Sequence, residues 1–422
     1  MTDPARLTAT EAVRQIRAGR LSPVALMEAC LDRIAAREPT TRAFAHLDRQ
    51  AALRGAEIAS AGPLHGLPFG VKDVFDTADM PTAYNSPIYA GHRPRADAAA
   101  VAWTRRAGGV LIGKTVTTEF AYRQPGPTTN PHDPSRTPGG SSSGSAAGVA
   151  DFFFPLAFGT QTAGSNIRPS AYCGIVGYKP SFGLISRVGL KQLSDSLDHV
   201  GLMARSVADC ALLGSAVSGL DLGDPDVKPG TAPRIGLCRS PSWPKAAPET
   251  QTLFAEVADR LGRAGAVIGE RELPPSYAAF EEVHRTVLDM EAARGFGWEL
   301  ATSRDGLSQF LRDRLDWGLA QPFDTLKQAR ATLLEARLGF PAVMDGLDIL
   351  LTPSAPGEAP VGLDWTGDAS FNFTWTGLHL PCVTVPAGRG PNGMPLGIQI
   401  VGRHGEDRAV LVWAQWVAAA LG

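Results

Sequence analysis

The stretch Pro138-Gly139-Gly140-Ser141-Ser142-Ser143-Gly144-Ser145-Ala146-Ala147-Gly148 constrains the fold more than any other part of the sequence. A Gly/Ser run of this kind ordinarily reads as a flexible linker. Here it passes directly into Val149, which suits the start of a buried helix built from small residues. A second small-residue segment runs from Gly159 to Pro169 and contains Ser165. It follows the apolar run Leu156–Phe158, so a buried strand is expected to feed a tight loop. A third segment, Gly70-Val71-Lys72-Asp73-Val74, sets a lysine directly after an apolar run. That lysine either points into a cleft or sits at the surface paired with Asp73.

The rest of the pattern is that of layered α/β structure. Thr8-x-x-Glu11 is a capping box for a helix ending near Gly19, and Ser22-Pro23 restarts one with helical apolar spacing at Val24, Met27, Leu31 and Ile34. A third helix is expected over 47–61. Short apolar runs at Leu67–Val71, Val110–Ile112, Ile349–Leu351, Cys382–Val385 and Leu396–Val401 read as buried strands, the second ended by Gly113-Lys114. Strand 234–238, helix 250–264 and strand 266–268 form one βα crossover and its next strand. Helices are expected over 277–300, 322–340 and 407–421. With 46 glycines and 33 prolines scattered along 422 residues and no internal repeat, a compact unit is expected. Its parts are an N-terminal helical part (1–62), a core (63–215), a more variable region (216–345) and a C-terminal part of the core (346–422).

Composition excludes several classes. Hydrophobic residues are 44% and charged residues 19%, which rules out global disorder. The net charge of -2 gives no footprint for nucleic acid or an anionic membrane. The five cysteines are far apart with no C-x-x-C, so neither a disulfide framework nor a zinc site is expected. Met1–Arg20 lacks an apolar h-region, and Val149–Gly159 is too short to span a bilayer, so a cytoplasmic protein is expected.

Other chemistry can be tested on the same residues. Gly139-x4-Gly144 has Ser145 where a phosphate-binding loop needs lysine. Gly140-x-Ser142-x-Gly144 matches the G-x-S-x-G elbow, but the preceding 130–138 contains three prolines and no strand. No H-E-x-x-H occurs, the eight histidines are dispersed, and no metal or cofactor is expected. A serine nucleophile still needs a base. Lys72 can serve when burial keeps its amine neutral, with serine hydroxyls as a proton path.

Taken together, the three segments resemble the amidase signature family. The likeness extends to Gly177-Tyr178-Lys179-Pro180-Ser181-Phe182-Gly183, Ser196-Leu197-Asp198-His199-Val200-Gly201, Ala204–Asp209 and Pro395–Gly402. The resemblance implies a large mixed twisted sheet covered by helices on both faces. It also implies a Ser–cis-Ser–Lys triad with Ser165 as nucleophile, Ser141 as the bridging serine and Lys72 as base. Backbone N–H groups of Thr162, Ala163, Gly164 and Ser165 would then hold the oxyanion. Many members read Asp-x-Gly-Gly-Ser-Ile-Arg around the nucleophile, whereas this chain has Gln161 and places Arg168 one position later. That departure leaves the roles of Gln161 and Arg168 open. It also makes the A-type subunit of a tRNA-dependent amidotransferase a poorer match than a free-standing amidase.

Expected pocket walls are Phe75, Tyr84, Tyr122, Gly140 and Trp375, with Met80, Met290, Phe371, Phe373 and Leu378 as further candidates. Few charges stand in these segments, which favours a small neutral, partly apolar amide, with urea, carbamate or ester turnover as variants. The length leaves little room for the appended domain of the allophanate hydrolases, and no N-terminal membrane helix like that of fatty acid amide hydrolases is expected. The alternatives are a glutamine-dependent amidotransferase subunit working with partner chains, and a non-catalytic binding protein of the same fold. The expected partners are a small-molecule amide and water, without nucleic acid or membrane, and a homodimer is admitted.

Overall fold

The computed structural model describes residues 3–224 and 231–422. Residues 1–2 and 225–230, parts of the expected N-terminal and variable regions, lie outside the described residues.

Among the described residues eleven strands form one mixed sheet. They are β1 (Phe44–Leu47), β2 (Pro68–Lys72), β3 (Val110–Thr115), β4 (Leu156–Gln161), β5 (Val176–Lys179), β6 (His199–Ala204), β7 (Arg234–Leu237), β8 (Val267–Glu270), β9 (Ile349–Pro353), β10 (Cys382–Arg389) and β11 (Pro395–Val401). The order is β1-β3-β2-β4-β6-β5-β10-β11-β9-β7-β8. The β3-β2-β4 and β9-β7-β8 pairings are parallel and the remaining pairings antiparallel. Every residue of β2, β3, β4, β6 and β9 is buried, as expected for strands covered on both faces. One helical layer contains Ser143–Ala150 and Ile167–Cys173. The other contains Val207–Ser218 and Asp407–Leu421.

Local chemistry sets the elements. Thr8 and Ser22 cap the helices Ala9–Arg17 and Pro23–Thr41 by accepting from Glu11 N (3.2 Å) and Ala25 N (3.0 Å). The expected helix 47–61 is shorter, Arg49–Glu57, because β1 occupies the preceding residues and Asp48 caps the start. β3 does not stop at Gly113. It continues to Thr115, since Gly113 leaves room for β1: a Cβ there would lie 2.6 Å from His46 O. The helix expected over 277–300 breaks into Phe280–Gly295 and Gly297–Thr302, and Gln309–Ala320 is a helix the pattern did not reveal. Strands β5 and β6 were also not expected, because Lys179, His199, Gly177 and Gly201 interrupt their apolar residues.

All five cysteines are buried free thiols. Among the described residues no helix is long and apolar enough to cross a membrane, and no cluster of His, Cys, Asp or Glu is placed to hold a metal.

Candidate active site

Lys72 ends β2 and is fully buried. Its Nζ donates to Ser141 Oγ and to Thr160 Oγ1, both at 2.6 Å. It is not paired with Asp73. That carboxylate instead meets Lys114 of β3 at 2.9 Å, also out of solvent, while Lys114 Nζ further donates to Phe75 O at 2.8 Å. Burial therefore pushes the Lys72 amine well below the ordinary lysine value, opposed in part by the charge of Asp198.

Ser141 sits in a tight turn at the start of helix 143–150, and the Gly140–Ser141 peptide is cis. Gly139 adopts φ +83°, and a Cβ on Gly140 would come within 2.7 Å of Thr366 Cγ2. The turn is held by Arg168, which is buried. Its Nη2 donates to Gly140 O (2.7 Å) and Thr366 Oγ1 (3.2 Å), and Nη1 to Gly367 O (2.8 Å). Arg168 thus clamps two backbone segments through carbonyl oxygens instead of pairing with a carboxylate. Burial brings its pKa down to about 10.

The loop from Gln161 to Arg168 is pinned at several points. Gln161 Oε1 accepts from the N–H of Asn166 and of Ile167, each at 2.9 Å, and its Nε2 donates to Thr376 Oγ1 at 3.0 Å. Thr376 Oγ1 in turn donates to Ala163 O (2.7 Å), and His284 Nε2 donates to Thr162 O (2.8 Å). Thr162 Oγ1 donates to the buried Asp198, which also accepts from Leu193 N (2.7 Å). Among the described residues the N–H groups of Ala163, Gly164 and Ser165 donate to no protein acceptor. Gly164 has no space for a side chain, since a Cβ would strike Asn372 Oδ1. The loop thus carries backbone N–H groups with no protein acceptor and is held in place by the bonds to Gln161, Thr376 and His284.

A cavity of about 240 Å³ opens on Ser165, Thr162 and Ala163. Ser165 is 8% exposed, against 1% for Ser141 and 0% for Lys72, so of these three it is the group that faces the cavity. Of the expected walls, Tyr122 and Phe373 line it. Phe75, Tyr84 and Trp375 do not: Phe75 packs against Phe158 in the core, the Tyr84 hydroxyl is turned onto Asp76 (2.9 Å), and Trp375 is buried beside Phe340. Gly140 lies behind the wall, under Thr366. Met80, Met290, Phe371 and Leu378 are core residues. The expectation of few charges is also corrected. Arg123, Arg168, Arg285, Glu281, Asp289 and Asp368 line the cavity; Glu281, Arg285 and Asp289 come from the helix Phe280–Gly295 and Arg168 from the helix Ile167–Cys173.

A wide mixed sheet that buries a lysine against a cis-linked serine, behind a small-residue loop that opens on a cavity, is the architecture of an amidase-type protein. The chain matches the Amidase family over residues 25–411, and it belongs to that family. It is similar over 99% of its length to a solved amidase (TM-score 0.90, 32% identity, all of that chain covered). It is also similar to the peptide amidase of Stenotrophomonas maltophilia (TM-score 0.85, 31% identity, 99% and 97% covered). Among curated proteins it is similar to the A-type subunit of the glutamyl-tRNA(Gln) amidotransferase of Chloroflexus aurantiacus, at 34% identity with 97% and 96% of the two chains covered. The corresponding protein of Acidothermus cellulolyticus is 35% identical, with 99% and 95% covered. The departure at Gln161 had made such subunits the poorer expectation, yet the curated relatives are of that kind. These alignments run over 469 and 488 positions, more than the 422 residues present, so the relatives carry insertions that this chain lacks.

Proposed function

We propose that this chain cleaves the C–N bond of an amide through an acyl-enzyme on Ser165. Neutral Lys72 takes a proton relayed by Ser141 as Ser165 Oγ attacks the carbonyl carbon, and the oxyanion is held by the N–H groups of the loop 162–165. The relay returns the proton to the departing nitrogen, the C–N bond breaks, and water then attacks the ester and frees the acid. The observation that carries this reading is the buried Lys72 amine, 2.6 Å from Ser141 Oγ and without a carboxylate in contact. Hydroxyl partners both accept and donate, so they pass a proton where a carboxylate would hold the amine charged. The test is amide hydrolysis by the purified chain over aryl and aliphatic amides, ureas, carbamates and esters, beside its Ser165→Ala variant and covalent labelling by an activated phosphonate. Wild-type turnover that survives Ser165→Ala overturns it.

The same cleavage serves a second role, in which the amide is glutamine and the ammonia passes to a partner chain. The curated relatives, amidotransferase subunits named for that work, favour this role over stand-alone hydrolysis. The solved neighbours include hydrolases, among them a 6-aminohexanoate cyclic dimer hydrolase at 26% identity and TM-score 0.90. Ammonia release from glutamine that exceeds release from simple primary amides selects the partner-dependent role. The reverse selects hydrolysis.

A further inference from the structure

The cavity on Ser165 has an unequal balance of usable charge. Three carboxylates line it, and each is already engaged by a cation outside the lining. Asp289 accepts from Arg314 Nε (2.9 Å) and from the Tyr122 hydroxyl (2.6 Å). Glu281 meets Lys245 at 2.7 Å, and Asp368 meets the same Lys245 at 3.7 Å. The lining arginines are differently placed. Arg168 is spent on the carbonyls of Gly140 and Gly367. Arg285 shares Glu281 with Lys245, at 3.2 Å. Arg123 has no ion pair among the described residues. It lines the cavity and is exposed, with its guanidinium 5.6 Å from the centre of the Phe310 ring. Cations are thus in excess around a concave site, which concentrates positive potential there.

We infer that the substrate carries an anionic group remote from the scissile amide, held by Arg123 and Arg285 while Ser165 meets the carbonyl. This rests on the reading of Ser165 above and adds the class of substrate. A guanidinium recognises a carboxylate through paired N–H donors, so the preferred ligand is a carboxylate-bearing amide. A zwitterion gains less, because its ammonium finds every lining carboxylate already paired.

The probes are the p-nitroanilides of glutaric acid (anionic), pentanoic acid (neutral) and γ-linked glutamate (zwitterionic). Affinity is measured by calorimetry on the Ser165→Ala variant at low salt. The glutaric compound is expected to bind about tenfold or more tightly than the pentanoic one. The gap is expected to close in the Arg123→Ala, Arg285→Ala double variant, to persist in larger part in Arg123→Lys, Arg285→Lys, and to shrink with added salt. Equal affinities, a gap that survives the double alanine variant, or tightest binding of the γ-glutamyl compound overturns the inference. Release of p-nitroaniline by the wild type is read separately. A binding preference without turnover strikes the role given to Ser165 and leaves the anion preference standing.

Discussion

Asp73 is ion-paired with Lys114 on the neighbouring strand, at 2.9 Å, and not with Lys72, its neighbour in sequence. In the β2–β3 register Val71 lies opposite Lys114 and Lys72 opposite Thr115, so the two lysines stand one step apart in the ladder. Side chains alternate along a strand. Asp73 follows Lys72 directly and turns to the side on which Lys114 lies. The pairing gives one buried lysine a carboxylate and leaves the other, Lys72, among hydroxyls.

The rate is therefore expected to depend on pH through Lys72. Its pKa is lowered by burial, and in the proposed mechanism the neutral amine is the active form, so kcat/KM is expected to fall as pH drops through that lowered value and to level off above it. Lys72→Ala is expected to lose roughly 10²–10⁴-fold, the usual worth of a positioned base. A pH–rate profile for both proteins checks this. An acid limb that persists unchanged in Lys72→Ala would assign it to another group.

Asp198 gives the complementary test. Its charge raises the Lys72 pKa, so Asp198→Asn is expected to move the acid limb to lower pH. Burial holds the Asp198 carboxyl itself at about 6, against 3.8 for an ordinary aspartate. A raised carboxyl favours the folded state below pH 3.8, and that contribution is lost as pH rises through about 6. Urea denaturation on either side of this window is expected to show a smaller difference for Asp198→Asn than for the wild type.

Gly164→Ala is expected to reduce kcat by about 10²–10³-fold with little change in KM, the cost of displacing one of the proposed oxyanion donors. The added methyl falls on Asn372 Oδ1 and lies 3.0 Å from Ala369 Cβ, so the loop must move. Steady-state kinetics beside a thermal melt checks it. An equal loss in kcat and melting temperature across unrelated loop variants would instead mark a general folding defect.

Gln161 uses both ends of its amide. Gln161→Glu keeps an acceptor for Asn166 N and Ile167 N but cannot donate to Thr376 Oγ1, and it brings a charge into a buried site. Gln161→Ala loses all of these bonds. Both are expected to lower kcat. The loss of stability, about 1–3 kcal/mol for buried groups left unpaired, is expected to be measurable by denaturant titration. A Gln161→Ala variant as active and stable as the wild type would remove Gln161 from the support of the loop.

Arg168→Met is expected to leave the carbonyls of Gly140 and Gly367 without their donor and to cost about 1–3 kcal/mol for each group so exposed. Arg168→Lys restores charge but not the span between the two carbonyls, so it is expected to recover little of either stability or rate. Recovery to wild-type levels by lysine would show that charge, and not geometry, is what the position supplies.

How much was legible depended on the range of the forces involved. Caps at Thr8 and Ser22, the apolar strands β2, β9 and β11, and the small-residue helix 143–150 follow from local chemistry, and these elements are where the pattern placed them. Strands β5 and β6 were hidden because their buried lysine and histidine are satisfied by backbone groups that only the fold brings into reach, such as Leu380 O for Lys179, or by a local turn, as with Leu197 O for His199. Trp375 illustrates the limit at the site. An aromatic residue in a suggestive segment was as compatible with core as with cavity, and packing against Phe340 decided it.

Family membership and the small residues of a close-packed loop and turn could be read from the chain alone, because glycine, serine and proline act on their own backbone. Which carboxylate Lys114 takes, what Arg168 holds and which charges line the cavity on Ser165 emerged with the fold. Those outcomes depend on partners far apart in the chain, brought together by one sheet, and on the loss of solvent that makes each pairing matter.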